Sequence, residues 1–216
     1  MKNSGGTFLI VIAIIGLVLG GIILAGPTNN NTTNTNGQTS TSPQVSEDAS
    51  LINRSGAPRI GPENAKVKVV IFSDYLCPYC KEFHSSTANK ILNDYPNDVS
   101  VTIRTLLIHP QAEILQKAAE AAYKQDKFKE MADELFGLST NNPTEDDVIK
   151  LAQKIALNTD QFKADLNSPE VQANVDKDNS DGQSLNLPGT PSVFVNNKYI
   201  ENPGEVENAV KEALGK

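Results

Sequence analysis

The chain has 216 residues, of which 38% are apolar, and its 19 basic and 26 acidic side chains give a formal net charge of -7. That suffices for one domain, or two small ones, with a real core. The acidic balance argues against nucleic-acid binding, which needs clustered Lys and Arg. Two cysteines are too few for a disulfide-stapled scaffold, so their placement three residues apart needs another reason.

Residues Phe8 to Ala25, FLIVIAIIGLVLGGIILA, are 18 positions without a charged or polar side chain. As a helix at about 1.5 Å per residue they span roughly 27 Å, close to the hydrocarbon thickness of a bilayer. The competing reading is a cleaved signal peptide, whose apolar region runs to about 7–15 residues and ends in a small-x-small site. Here the stretch leaves through Leu24-Ala25-Gly26-Pro27, and the expectation is an uncleaved transmembrane anchor within residues 1–26. Lys2 precedes it and no Lys or Arg follows until Arg54. This places the N-terminus in the cytoplasm and the remainder outside, as a single-pass protein of the cell membrane. Residues 27–56, rich in Asn, Thr, Ser, Gly and Pro, carry no aromatic residue. They read as a flexible tether with a reach of roughly 30 Å.

Residues 57–216 are the globular part. The Lys66–Phe72 run passes from alternation into a β-branched block, as expected of a central strand buried on both faces. Helical spacing of Phe83, Ala88, Ile91 and Leu92 predicts a helix from near Cys77 to Tyr95-Pro96, and Val99–Leu107 reads as a second strand. Beyond His109-Pro110 the period becomes helical through Leu115, Ala118, Ala119, Ala122, Phe128, Met131, Leu135 and Phe136. Thr144 to Asp147 resembles a capping box, and Ser168-Pro169-Glu170 opens another helix. Ser192–Val195 and Lys198–Ile200 flank Asn196-Asn197, a two-residue hairpin signal, and Asn202-Pro203 leads into a closing helix through Val206, Val210 and Leu214. The order predicts an α/β sheet with a helical insertion at about 110–186.

The chemistry concentrates at Cys77-Pro78-Tyr79-Cys80. Cys77 falls where the strand hands over to the helix, so unpaired backbone N–H groups and the helix dipole favour a thiolate there. Pro78 suits the first helical position. Cys80, one turn on, is partly shielded and close enough to form a disulfide with Cys77, so Cys77 is the attacking sulfur and Cys80 the resolving one. A structural disulfide closing so small a loop would restrict the unfolded chain little. A metal site built from Cys77, Cys80 and His84, with His109 as a fourth ligand, is the more serious alternative. Gly189-Thr190-Pro191 sits immediately before the hairpin. It reads either as an ordinary strand-opening proline or as a cis Thr190-Pro191 turn whose Thr190 backbone pairs with an extended substrate.

Together FSDYLCPYCKEFH, QKAAEAAYKQDKFKEMADELF and LPGTPSVFVNNKYI resemble DsbA-like members of the thioredoxin superfamily over about residues 58–214. The resemblance implies a thioredoxin-like fold with an inserted helical subdomain and a redox-active Cys77/Cys80 pair. It also implies a potential tuned by Pro78 and Tyr79, and a Thr190-Pro191 loop that binds substrate. No cofactor and no resident metal are expected. The implied partners are exported cysteine-containing proteins and a membrane-embedded, quinone-linked thiol oxidase for reoxidation. One departure stands out. Many relatives carry a buried glutamate six residues before the first cysteine, where this chain has Ile71; Asp74 reads as a cap or turn residue rather than a substitute, which leaves a water or Lys81 to handle the Cys80 proton. The expected activity is disulfide formation, with reductase or isomerase activity, or a non-catalytic metal-binding module, as alternatives.

Overall fold

The computed structural model describes residues 44–216; the expected anchor and most of the expected tether lie outside the described residues. Among the described residues no helix is long and apolar enough to cross a membrane.

Chain order is α1 (Ala49–Ile52), β1 (Arg59–Ile60), β2 (Val67–Ser73), α2 (Pro78–Phe83), a π turn (His84–Ala88), α3 (Asn89–Asp94) and β3 (Val99–Thr105). Then follow α4 (Glu113–Tyr123), α5 (Phe128–Gly137), α6 (Glu145–Lys154), α7 (Thr159–Leu166), α8 (Pro169–Ser184), β4 (Ser192–Val195), β5 (Lys198–Ile200) and α9 (Val206–Leu214). The five strands lie in the order β1-β3-β2-β4-β5, with β2 and β3 parallel and the other pairs antiparallel. Five helices, α4 to α8, sit between β3 and β4, which is the thioredoxin-like α/β fold with the expected helical insertion.

Period-two alternation of β2 explains both cores. Val67, Val69 and Ile71 join Val99, Val101, Ile103, Val193 and Val195 on one face, under the insertion, α2, α3 and α9. Val70 and Phe72 join Leu106, Leu185 and Phe194 on the other. Each of these side chains contributes about 1.5–3 kcal/mol on burial. Gly182 lets α8 approach that second face, since a Cβ there would stand 3.0 Å from Leu106 Cδ1 and 3.2 Å from Phe72 Cδ1.

Several local signals appear as read. Thr144 and Asp147 form a reciprocal capping box on α6, and Ser168 caps α8 with Pro169 in its first turn. Asn196 and Asn197 have φ of 49° and 69°, the double positive φ of a type I′ hairpin turn. The predicted long helix after Cys77 is interrupted by the π turn at His84–Ala88, and the second strand stops at Thr105, two residues short of the expectation.

The tether needs correction, because residues 45–54 are a packed strap. Val45, Leu51 and Ile52 enter the second core, and Ile52 is fully buried. Ser46 N–H donates to the Leu185 carbonyl at 2.9 Å, and Tyr199 N–H to Glu47 Oε1 at 2.8 Å. Arg54 is equally committed: Nε is 2.6 Å from Asp178 Oδ1, and the guanidinium also pairs with Glu120. The buried Arg104 donates to Asp178 and Asp181 at 2.6 and 2.7 Å and to the carbonyls of Leu51 and Ile52, and it lies 4.9 Å from the Phe72 ring centroid. Two arginines and three carboxylates thereby tie the strap, β3, α4 and α8 together.

Candidate active site

Residues 74–77 connect the end of β2 to the helix through a tight, fully anchored turn. Asp74 is completely buried and accepts from the Leu76 N–H at 2.8 Å. Its other oxygen accepts from the Ile108 and His109 N–H groups at 2.9 and 2.8 Å and contacts His109 Nδ1 at 3.2 Å. Asp74 is thus a turn residue that also pins the loop after β3, in keeping with the reading of it as a cap rather than a substitute acid. Cys77 N–H donates to the Asp74 carbonyl at 3.0 Å, which sets the sulfur at the helix start.

Cys77 is the N-cap of α2, in extended conformation (φ -74°, ψ 120°), with Pro78 in the first turn. Both cysteines are free thiols and buried, Cys77 6% exposed and Cys80 1%. Their environments differ. Cys77 Sγ lies 3.5 Å from the Thr190 carbonyl oxygen. Burial pushes the Cys80 thiol up to about 12, against hydrogen bonds from the Asp74 backbone and the Ser73 and Thr190 side chains that favour its thiolate; the nearby Cys77 adds to the rise. Cys80 is therefore a thiol at neutral pH.

The Thr190-Pro191 peptide is cis, and Ser192 Oγ donates to the Gly189 carbonyl at 2.7 Å, closing the loop ahead of β4. A groove of about 350 Å³ opens beside it, lined by Tyr79, Glu82, Phe83, Ser86, Thr190, Pro191, Pro203 and Gly204. Tyr79, at 72% exposed, stands at its edge as one of two exposed large hydrophobic residues among those described. The structure therefore brings Tyr79, Thr190 and Pro191 together in the lining of the groove, with Cys77 against Thr190 and Cys80 buried one turn further along the helix.

The histidines are committed elsewhere. His84 Nε2 is 2.7 Å from Asp133 Oδ1, and its ring stacks on Phe136 at 4.5 Å; His109 stays with Asp74. Burial opposes the charge on Asp133, but hydrogen bonds from His84 and Lys129 outweigh it and hold the carboxyl at about 2. Among the described residues no three His, Cys, Asp or Glu side chains gather as a metal site.

Ser73 is a neighbour of Cys80 that motif reading overlooks. Its signal is present in the alternation of β2: it shares the face of Val69 and Ile71, the face on which Cys80 is buried, and is the polar residue that ends that apolar row.

The thioredoxin family model matches residues 53–214. Disulfide bond formation protein D of Bacillus subtilis is 31% identical over 173 residues, which cover 74% of this chain and 77% of that one. The crystal structure of oxidised BdbD from Bacillus subtilis superposes with a TM-score of 0.66 at 27% identity, covering 80% of this chain and 97% of that one. A thioredoxin-like oxidoreductase from Silicibacter pomeroyi gives a TM-score of 0.67 at 29% identity, covering 77% and 97%. With a family match spanning the folded domain and a buried cysteine pair at the helix start beside a cis-proline loop, the chain belongs to the DsbA-like thiol-disulfide oxidoreductases of the thioredoxin superfamily.

Proposed function

We propose that the protein donates its Cys77–Cys80 disulfide to exported proteins from a position tethered to the outer face of the cell membrane. The observation that carries this is the asymmetry of the pair. Cys77 lies at a helix N-terminus against the Thr190 carbonyl and next to a groove, while Cys80 lies behind it as a buried thiol whose burial raises its pKa.

In the oxidised enzyme a client thiolate attacks Cys77 Sγ. The Cys77–Cys80 bond breaks, and the electron pair leaves on Cys80, where the Ser73, Asp74 and Thr190 donors receive it before it takes up a proton. A second client thiolate then attacks the client sulfur of the mixed disulfide and releases Cys77. Client dithiol and enzyme disulfide become client disulfide and enzyme dithiol, two electrons passing to the enzyme. Reoxidation requires an acceptor of two electrons; a membrane-embedded, quinone-linked thiol oxidase suits a domain held at the membrane by residues 8–25. Pro78 and Tyr79 tune the potential, and Thr190-Pro191 presents the client backbone. The relatives' names, disulfide bond formation proteins, support this direction of transfer.

The deciding experiment is the equilibrium of the Cys77/Cys80 pair with glutathione, read by mass spectrometry after acid quench, alongside oxidation of a reduced client. An oxidant stays largely dithiol in buffers where glutathione is still mostly reduced, and its disulfide form oxidises the client stoichiometrically. A pair that remains disulfide under those conditions would reverse the assignment to a reductase.

A further inference from the structure

The groove beside Cys77 is apolar where Tyr79, Phe83, Pro191 and Pro203 meet, and the one charged residue in its lining is Glu82. Glu82 is exposed, and its hydrogen bonds are made through its backbone carbonyl, which accepts from the Ser85 and Ser86 hydroxyls at 3.0 and 2.8 Å; its carboxylate has no partner among the described residues. Pro203 and Gly204, which also line the groove, bring no charge to it. Lys81, the nearest cation in sequence, is about 100° around the helix and does not line the groove. An apolar trough whose one lining charge is the unneutralised Glu82 carboxylate therefore lies beside the Thr190 loop that Cys77 contacts.

We infer that Glu82 is a specificity residue: among cysteine-containing clients, those with Lys or Arg two or three residues from the reacting cysteine are oxidised fastest. The inference rests on the oxidoreductase reading above. The spacing follows from geometry. Glu82 is five residues beyond Cys77, roughly 7–8 Å along the helix at about 1.5 Å per residue. An extended client chain seated in the groove, at about 3.3 Å per residue, covers that distance in two or three residues. The pair forms near the surface, so its effect falls mainly on the association rate, is a matter of a few-fold, and is screened by salt.

The test uses the oxidised full chain and three dithiol peptides that differ only two residues from one cysteine, where they carry Lys, Gln or Glu. Second-order rates are followed by the loss of the enzyme disulfide. The Lys peptide is expected to react about three- to tenfold faster than the Glu peptide near 0.05 M salt, and the ratio to shrink toward one near 0.5 M. Glu82→Lys is expected to invert the ratio and Glu82→Gln to bring it close to one. Reading a ratio within each variant removes any change in overall rate. A ratio of one in the wild type, or a ratio left unchanged by both substitutions, overturns the inference alone. Failure of all three peptides to react overturns the oxidoreductase reading and this inference with it.

Discussion

Cys77 Sγ stands 3.5 Å from the carbonyl oxygen of Thr190, a residue 113 positions further along the chain. One sulfur is thereby set against the Gly189–Pro191 loop, and the other is left behind it. Cys80→Ser is accordingly expected to accumulate mixed disulfides through Cys77, whereas Cys77→Ser accumulates few. Non-reducing electrophoresis followed by peptide mapping reads the difference, and equal trapping by the two variants would contradict the assigned roles.

The Cys80 environment makes resolution of a mixed disulfide strongly pH-dependent. With the thiol raised from 9.0 to about 12 by burial, the thiolate fraction, and with it the rate at which Cys80 attacks, is expected to climb about tenfold per pH unit between roughly 7 and 10. Ser73→Ala removes one donor to the thiolate and should slow that step by about tenfold, as expected of a charge-assisted hydrogen bond. Stopped-flow decay of a preformed mixed disulfide checks both. A flat profile would mean that another group takes the proton.

The same shift has a stability consequence with a definite sign. Above pH 9.0 the unfolded thiol loses its proton while the folded one keeps it until about 12. The stabilisation is thus complete below 9.0 and is lost as pH rises toward 12. Reduced protein should lose thermal stability over pH 9–10 relative to the Cys80→Ala variant, in which no thiol titrates.

Arg104 is fully buried between Asp178 and Asp181. Arg104→Met removes the buried counter-charge that Asp178 and Asp181 share, leaving one to Arg54 and the other to Lys177, and is expected to cost about 3–5 kcal/mol in urea unfolding. Because Arg104 also donates to the Leu51 and Ile52 carbonyls, the 45–54 strap should become susceptible to limited proteolysis in the same variant.

Glu120, in the same network, is raised to about 7; burial drives the shift, the Arg54 charge opposes it, and the Asp178 charge assists. A carboxyl raised from 4.5 stabilises the fold below pH 4.5, and that contribution is lost as pH climbs through about 7. The stability of wild type minus Glu120→Gln should therefore fall by up to about 3 kcal/mol between pH 4.5 and 7.5. A difference that rises with pH would show that Arg54 dominates.

Much of this architecture is legible in the residues. The Val67–Phe72 block, the Asn-Asn hairpin, and the Thr144 and Ser168 caps depend on neighbours a few positions away, so local pattern is enough to find them. Other features escape a local reading. The strap at residues 45–54 resembles a continuation of the Asn/Thr/Ser tether, because three apolar residues and one arginine gain meaning only against Leu185, Glu120 and Asp178. The short helix α7 buries only Phe162, Asp165 and Leu166, too sparse a signal to stand out. The π turn at His84 coincides with stacking on Phe136 and pairing with Asp133, both from another helix.

The two cysteines illustrate the same division. Their spacing, the proline between them and the strand that precedes them are covalent and local, and they suffice for the expectation that Cys77 attacks and Cys80 resolves. What surrounds each sulfur is decided by tertiary packing. The Thr190 carbonyl arrives from beyond the helical insertion, burial raises Cys80, and Ser73 and Thr190 supply hydroxyls where Ile71 supplies no acid. Solvation and hydrogen bonding act through space at a few ångströms, so only the folded chain could bring these groups within range.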